Sequence, residues 1–144
     1  MPVSRKLLCA VYAMIASAAL IATWSQNIAY INNITDFFPA LGSFLAETKV
    51  TPASRSITVD ILFLFLAAAI FMVIEARKHG IRFVWAYIVG GILIAISVTF
   101  PLFLIARELR RAESDATHLR AADTIPLTLL AVLVVGLAIW VDVL

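Results

Sequence analysis

Residues 61–74 of this chain carry no charged and no hydrogen-bonding side chain, and that run limits the fold more than any other feature. It sits inside SITVDILFLFLAAAIFMVIEARKHGIR, residues 56–82, with Asp60 near one end, Glu75 near the other and a basic cluster behind. A helix rising 1.5 Å per residue needs about 20 such residues to cross a bilayer. Ser56 or Thr58 is placed to cap the first turn, where the positive end of the helix dipole favours the carboxylate of Asp60. Gly80, directly after Arg77-Lys78-His79, is placed to end the helix. The segment reads as a transmembrane helix.

Composition agrees. Hydrophobic residues make up 63% of the 144, charged residues 14%, and mean hydropathy is +1.04. A soluble domain is nearer half apolar and a quarter charged. The chain reads as a single transmembrane domain over residues 1–144. Its net charge of +2 is small and no basic stripe is interleaved with aromatics, so nucleic acid is not expected as a partner. Cys9, the one cysteine, excludes an internal disulfide and reads as a small apolar residue in a helix.

Three further apolar runs follow the same logic, giving expected helices near 7–29, 56–78, 82–107 and 124–143. Arg5 and Lys6 open the first, and its Ala16-Ser17-Ala18 has the form of a signal-peptide cleavage site. The apolar run continues past it to Trp24, an interfacial anchor, which favours a retained helix. The Leu-Leu-Cys-Ala at 7–10 has the form of a lipoprotein box but lies too near the start. Thr23 to Asn27 form a polar patch, with Trp24 and Asn27 three apart on one face. In the long connection, Phe37, Phe38, Leu41, Phe44 and Leu45 recur on one helical face, with Asp36 placed to cap it. That predicts a short interfacial helix near 36–46. Asn33-Ile34-Thr35 matches a glycosylation sequon in form.

The third run carries Ala86/Gly90 and Gly91/Ala95 at spacings that allow close helix packing. Pro101 should kink its last turn. Residues 107–122 are charged on all sides and read as a solvated helical extension, supported by Glu108/Arg111 and Arg110/Glu113 spacings. Asp123-Thr124-Ile125-Pro126 then reads as the start of the last helix. The expected fold is all-α: an integral membrane four-helix antiparallel bundle with a short interfacial helix in the first loop. Orientation is nearly undetermined by charge. Arg5, Lys6, Arg77, Lys78 and Arg82 fall on one side, and Lys49, Arg55, Arg107, Arg110, Arg111 and Arg120 on the other. The first helix and the shortest loop then put both termini in the cytoplasm.

Four patterns occur in order: Thr23-Trp24 with Asn27; Ser56-x-Thr58-Val59-Asp60; Glu75-Ala76-Arg77-Lys78-x-Gly80; and Phe100-Pro101-Leu102-Phe103-Leu104 before Arg107-Glu108. Together they resemble the small bacterial membrane-protein family known as domain of unknown function 2834, over about residues 7–110. The resemblance implies a compact multi-helix protein of a bacterial inner or plasma membrane. It implies no activity, substrate or catalytic residue. The tail from Glu113 and the last helix lie outside it.

The polar residues offer little chemistry. Asp60 and Glu75 lie about 22 Å apart along a helix and do not form an acid–base pair. His79 and His118 fall on opposite sides of the expected bundle, so no metal site and no cofactor follows from them. No nucleophile triad or phosphate loop is present. The antiparallel reading brings Trp24, Asn27, Asp60 and Arg107 to one face as a candidate polar pocket, with Asp60 paired to Arg107. Glu75 with Arg77 forms a secondary candidate. Three functions stay open: a non-enzymatic accessory or lipid-interacting protein; a membrane enzyme acting on a lipid or terpenoid with Asp60 as acid; and a small oligomeric transporter. The expected partner is membrane lipid, with a homo-oligomer or a membrane-protein partner also open.

Overall fold

The structure, a computed structural model, describes residues 3–31, 37–112 and 120–143. Asp36 as a cap, the sequon at Asn33, the Glu113 pairing and His118 lie outside these residues. Among the described residues every regular element is helical: α1 Val3–Asn27, running into a 3-10 turn Ile28–Tyr30; α2 Phe37–Glu47; α3 Pro52–His79; α4 Val84–Gly90; α5 Ile96–Arg110; and α6 Ala121–Val143. Four segments are long and apolar enough to cross a membrane: Ser4–Tyr30, Pro52–His79, Val84–Arg110 and Ala121–Val143.

Helix α3 starts a turn earlier than the sequence pattern predicts. Thr51 accepts from the Ser54 amide, Ser54 answers to the Thr51 amide, and Pro52 opens the helix. This reciprocal box satisfies two orphan donors and outcompetes Ser56 as a start. Asp60 therefore sits two turns into the helix rather than in its first turn. At the other end Gly80 adopts φ 65°, ψ 33°, a left-handed cap that glycine occupies without a Cβ clash.

The expected straight third helix over 82–107 is the main correction. A five-residue π-helical stretch, Gly91–Ala95, follows α4, and Ala95 is extended at φ −179°, ψ 141° before α5 begins. A continuous helix would separate Tyr87 from Phe103 by about 24 Å. Their rings meet edge to face at 5.7 Å. The segment thus doubles back on itself as a helical hairpin. A Cβ on Gly90 would lie 3.1 Å from Thr99 Cγ2, and one on Gly91 would lie 2.9 Å from the Phe65 ring. The two glycines let the hairpin arms approach each other and α3. Pro101 is buried in α5 and does not make the bend, which lies six residues earlier. Each arm is about 18–22 Å long, short of the roughly 30 Å of hydrocarbon.

Around this hairpin lies the core: Met72 and Phe103 at 0% exposure, with Ala76, Val84 and Ile88, flanked by Phe65, Tyr87 and Phe100. Helix α1 runs antiparallel to α5. Arg5 lies at the end of α5, and the Trp24 indole donates to the Ile94 carbonyl at 3.3 Å beside the bend. That bond satisfies a carbonyl where the helix is interrupted, which matters most where no water reaches. Trp24→Phe should lower unfolding stability in detergent by about 1 kcal/mol. Trp85→Phe, at a residue 60% exposed, should change it little. Equal effects of the two would remove this role for Trp24.

Helix α2 forms as the apolar spacing predicts. Phe44 packs on Tyr30 at 5.7 Å, Ala40 is buried and the Tyr30 hydroxyl donates to Glu47. Phe38 stays 81% exposed. The charged extension beyond Arg107 is shorter than expected, because α5 stops at Arg110 and Arg111 is extended at ψ 141°. Helix α6 begins at Ala121, slightly before Asp123, and has no buried residue. It meets the bundle where Gln26 Nε2 donates to the Asp142 carbonyl at 3.4 Å. Arg5 and Asp142 therefore lie at opposite ends of α1.

Candidate functional site

Helical spacing assembles a charged cluster at the Arg5 end. On α3, Glu75 and His79 are four apart and share a face, with Lys78 beside them. On α5, Arg107 and Arg111 are four apart at the helix end, where the dipole favours cations. Because the hairpin doubles back, this end of α5 returns to the end of α3 from which the hairpin left. Arg107 Nε donates to the Glu75 carboxylate, and His79 Nε2 stands 3.3 Å from the same oxygen. Arg107 also reaches Glu108 at 3.3 Å and lies 5.7 Å over the Phe71 ring. Arg111 contacts Glu108 at 3.1 Å.

Helix α1 closes the cluster from behind. Arg5 is 7% exposed and donates to the carbonyls of Arg111 at 3.2 Å and Ala112 at 3.0 Å. Its Nε lies 3.9 Å from Glu108, itself 4% exposed. A charge taken this far out of water requires a partner or a cap, and Arg5 serves as both. Between the two helix ends opens a cleft of about 350 Å³ lined by Lys78, His79, Arg107 and Arg111. Among the described residues the cluster gathers four cations, Arg5, Lys78, Arg107 and Arg111, and two carboxylates, Glu75 and Glu108.

The structure does not assemble the pocket expected from Trp24, Asn27, Asp60 and Arg107. Trp24 is engaged at the hairpin bend and Asn27 ends α1. Asp60 is exposed on α3 and makes no ion pair among the described residues. Arg107 lies four turns further along α3, with Glu75, because the hairpin returns it to its starting end. Arg77 does not join Glu75. It is exposed and lines a separate depression with Arg82 and Trp85. Sequence reading missed Arg5, Glu108 and Arg111 as members of one cluster. The available signal was the near-tied charge count, which a straight third helix leaves unexplained. Among the described residues, no three His, Cys, Asp or Glu side chains come together as a metal site would require.

A family model described as "Protein of unknown function DUF2834" matches residues 11–109. No curated protein and no solved structure matches the chain.

Proposed function

The chain belongs to the DUF2834 family, and we propose that it is a non-enzymatic, lipid-interacting membrane protein whose basic end faces the cytoplasm and holds anionic headgroups. One observation carries this reading: the charge asymmetry between the two ends of the bundle. Arg5, Lys6, Arg77, Lys78, Arg82, Arg107, Arg110 and Arg111 gather at the end where α3 stops and α5 returns, against Lys49 and Arg55 where α3 starts. With Arg120, which precedes α6 at the end opposite Asp142, a near-tie becomes nine against two, and such a bias is the one expected of a cytoplasmic side. Each Lys or Arg near a membrane surface contributes about 1 kcal/mol of attraction to anionic lipid. Asp60 has no acid–base partner among the described residues, so nothing specific favours the reading in which it acts on a lipid or terpenoid. The apolar run between Asp60 and Glu75 offers no polar path for a transporter.

Lipid extracted with the protein in polymer-bounded native nanodiscs tests the reading. Anionic phospholipid is expected to be enriched at least about twofold over the bulk membrane. Replacing Lys6, Arg77 and Arg82 by glutamine should bring it down toward the bulk value. Bulk composition around the unaltered protein would refute the proposal.

A further inference from the structure

We propose that the depression at the α3–α4 turn binds the phosphodiester headgroup of an anionic phospholipid. The inference rests on the lipid-interacting reading above and narrows it to one site on the basic end. Arg77, from the last turn of α3, and Arg82, from the turn itself, both line about 450 Å³ of space. The floor belongs to the core, with Ala76 and Val84 only 2% and 4% exposed. Small-molecule clefts run from about 300 Å³ upward, so a headgroup fits. Both arginines are exposed and make no hydrogen bond or ion pair among the described residues, which leaves their guanidinium donors available. The described residues that line the depression include no carboxylate. An anionic phosphodiester meets two guanidinium groups there, whereas the ammonium of a zwitterionic headgroup meets no counter-charge among them.

The backbone supplies an independent observation. Phe83 adopts φ 61°, ψ 32°, and it is the one non-glycine residue with positive φ among the described residues. A bulky L side chain enters this left-handed region only at a steric cost. Packing within the chain does not offset that cost, because Phe83 is 80% exposed and Trp85, on the same depression, is 60% exposed. Strain of this kind persists where the geometry serves a site. Exposed aromatics next to arginines follow the order of a membrane interface, with guanidinium at the phosphate and rings against the first acyl carbons. The rings therefore select a lipid as the source of the phosphodiester. A soluble phosphodiester would use the arginines and leave both rings in water.

The test is a binding titration on the full chain in detergent, read by native mass spectrometry and thermal shift. Three probes are used separately: short-chain phosphatidylglycerol, short-chain phosphatidylcholine, and glycerophosphoglycerol, the deacylated headgroup of the first. Phosphatidylglycerol is expected to bind about tenfold tighter than phosphatidylcholine, the equivalent of one charge-assisted contact. Arg77→Gln with Arg82→Gln should abolish that preference. Lys6→Gln with Arg110→Gln removes the same charge from two other exposed positions at the same end and should leave most of it. None of these four side chains has a hydrogen bond or ion pair among the described residues, so both double variants should fold. Phe83→Asn removes the ring and keeps a residue that tolerates the left-handed backbone. It should weaken phosphatidylglycerol binding about threefold without lowering the unfolding midpoint. Equal loss of the preference in the two double variants would mean diffuse attraction; the site is then wrong and the anionic-lipid reading stands. Glycerophosphoglycerol binding as tightly as phosphatidylglycerol, or unchanged binding in Phe83→Asn, would overturn the assignment of the ligand to a lipid. If phosphatidylglycerol does not exceed phosphatidylcholine on the unaltered protein, both the site and the broader reading are wrong.

Discussion

Glu75→Gln is expected to destabilise the protein by about 3 kcal/mol, whereas Asp60→Asn should change stability by less than about 0.5 kcal/mol. Glu75 is 8% exposed and holds both Arg107 and His79. Removing its charge leaves the Arg107 guanidinium facing an amide in a mostly desolvated place. The Arg107 side chain keeps 22% of its surface, so the loss falls at the lower end of the range for breaking buried pairs. Asp60 is exposed and has no ion-pair partner among the described residues, so its loss strands nothing. A double variant, Glu75→Gln with Arg107→Met, should recover part of the loss, since methionine can fill the space beside Phe71 without an unpaired charge. Chemical unfolding of the four proteins in one detergent decides the point. Equal stability of the two single variants would mean that the cluster does not hold α3 to α5.

That ranking reverses what the sequence suggests, and the reason is instructive. Properties local in the chain were legible: the apolar runs, the Gly80 cap, the amphipathic face of α2, and family patterns spread over residues 7–110. The partner of Arg107 was not legible. It depends on whether residues 84–110 run straight, and one extended residue at Ala95 among apolar neighbours changes every pairing beyond it. Nothing in Ile94-Ala95-Ile96 announces that break, because alanine favours helix. Its supports are dispersed: Gly90 and Gly91 permit close contact, Thr99 and Phe65 fill it, and Trp24 reaches it from another helix. The one non-local signal was the charge count. Six cations against five is implausible for a straight four-span topology and becomes nine against two once Arg107, Arg110, Arg111 and Arg120 fall at the other end.

The doubled-back hairpin makes a prediction that is all or none. In a Cys9→Ser background, single cysteines at Arg82, Arg110, Lys49 and Val143 should label in two groups with a membrane-impermeant maleimide. Positions 82 and 110, both exposed at the ends of the hairpin, should react from one side. Positions 49 and 143 should react only from the other, because α3 starts there and α6 ends there beside Gln26. A straight third helix would move position 110 to the side of position 49, and that single result would overturn the fold. The physical argument for the hairpin is the satisfaction of its bend. Broken helix at membrane depth is tolerated only where protein buries it or water reaches it. Here Gly91 is covered by Phe65, Thr99 is 6% exposed and its hydroxyl donates back to the Ala95 carbonyl at 3.5 Å, and the Trp24 indole takes the carbonyl of Ile94. Protection at the bend and the ion cluster at its open end then act together: the first covers the interrupted backbone, and the second ties the α5 arm back to the end of α3 from which the hairpin left.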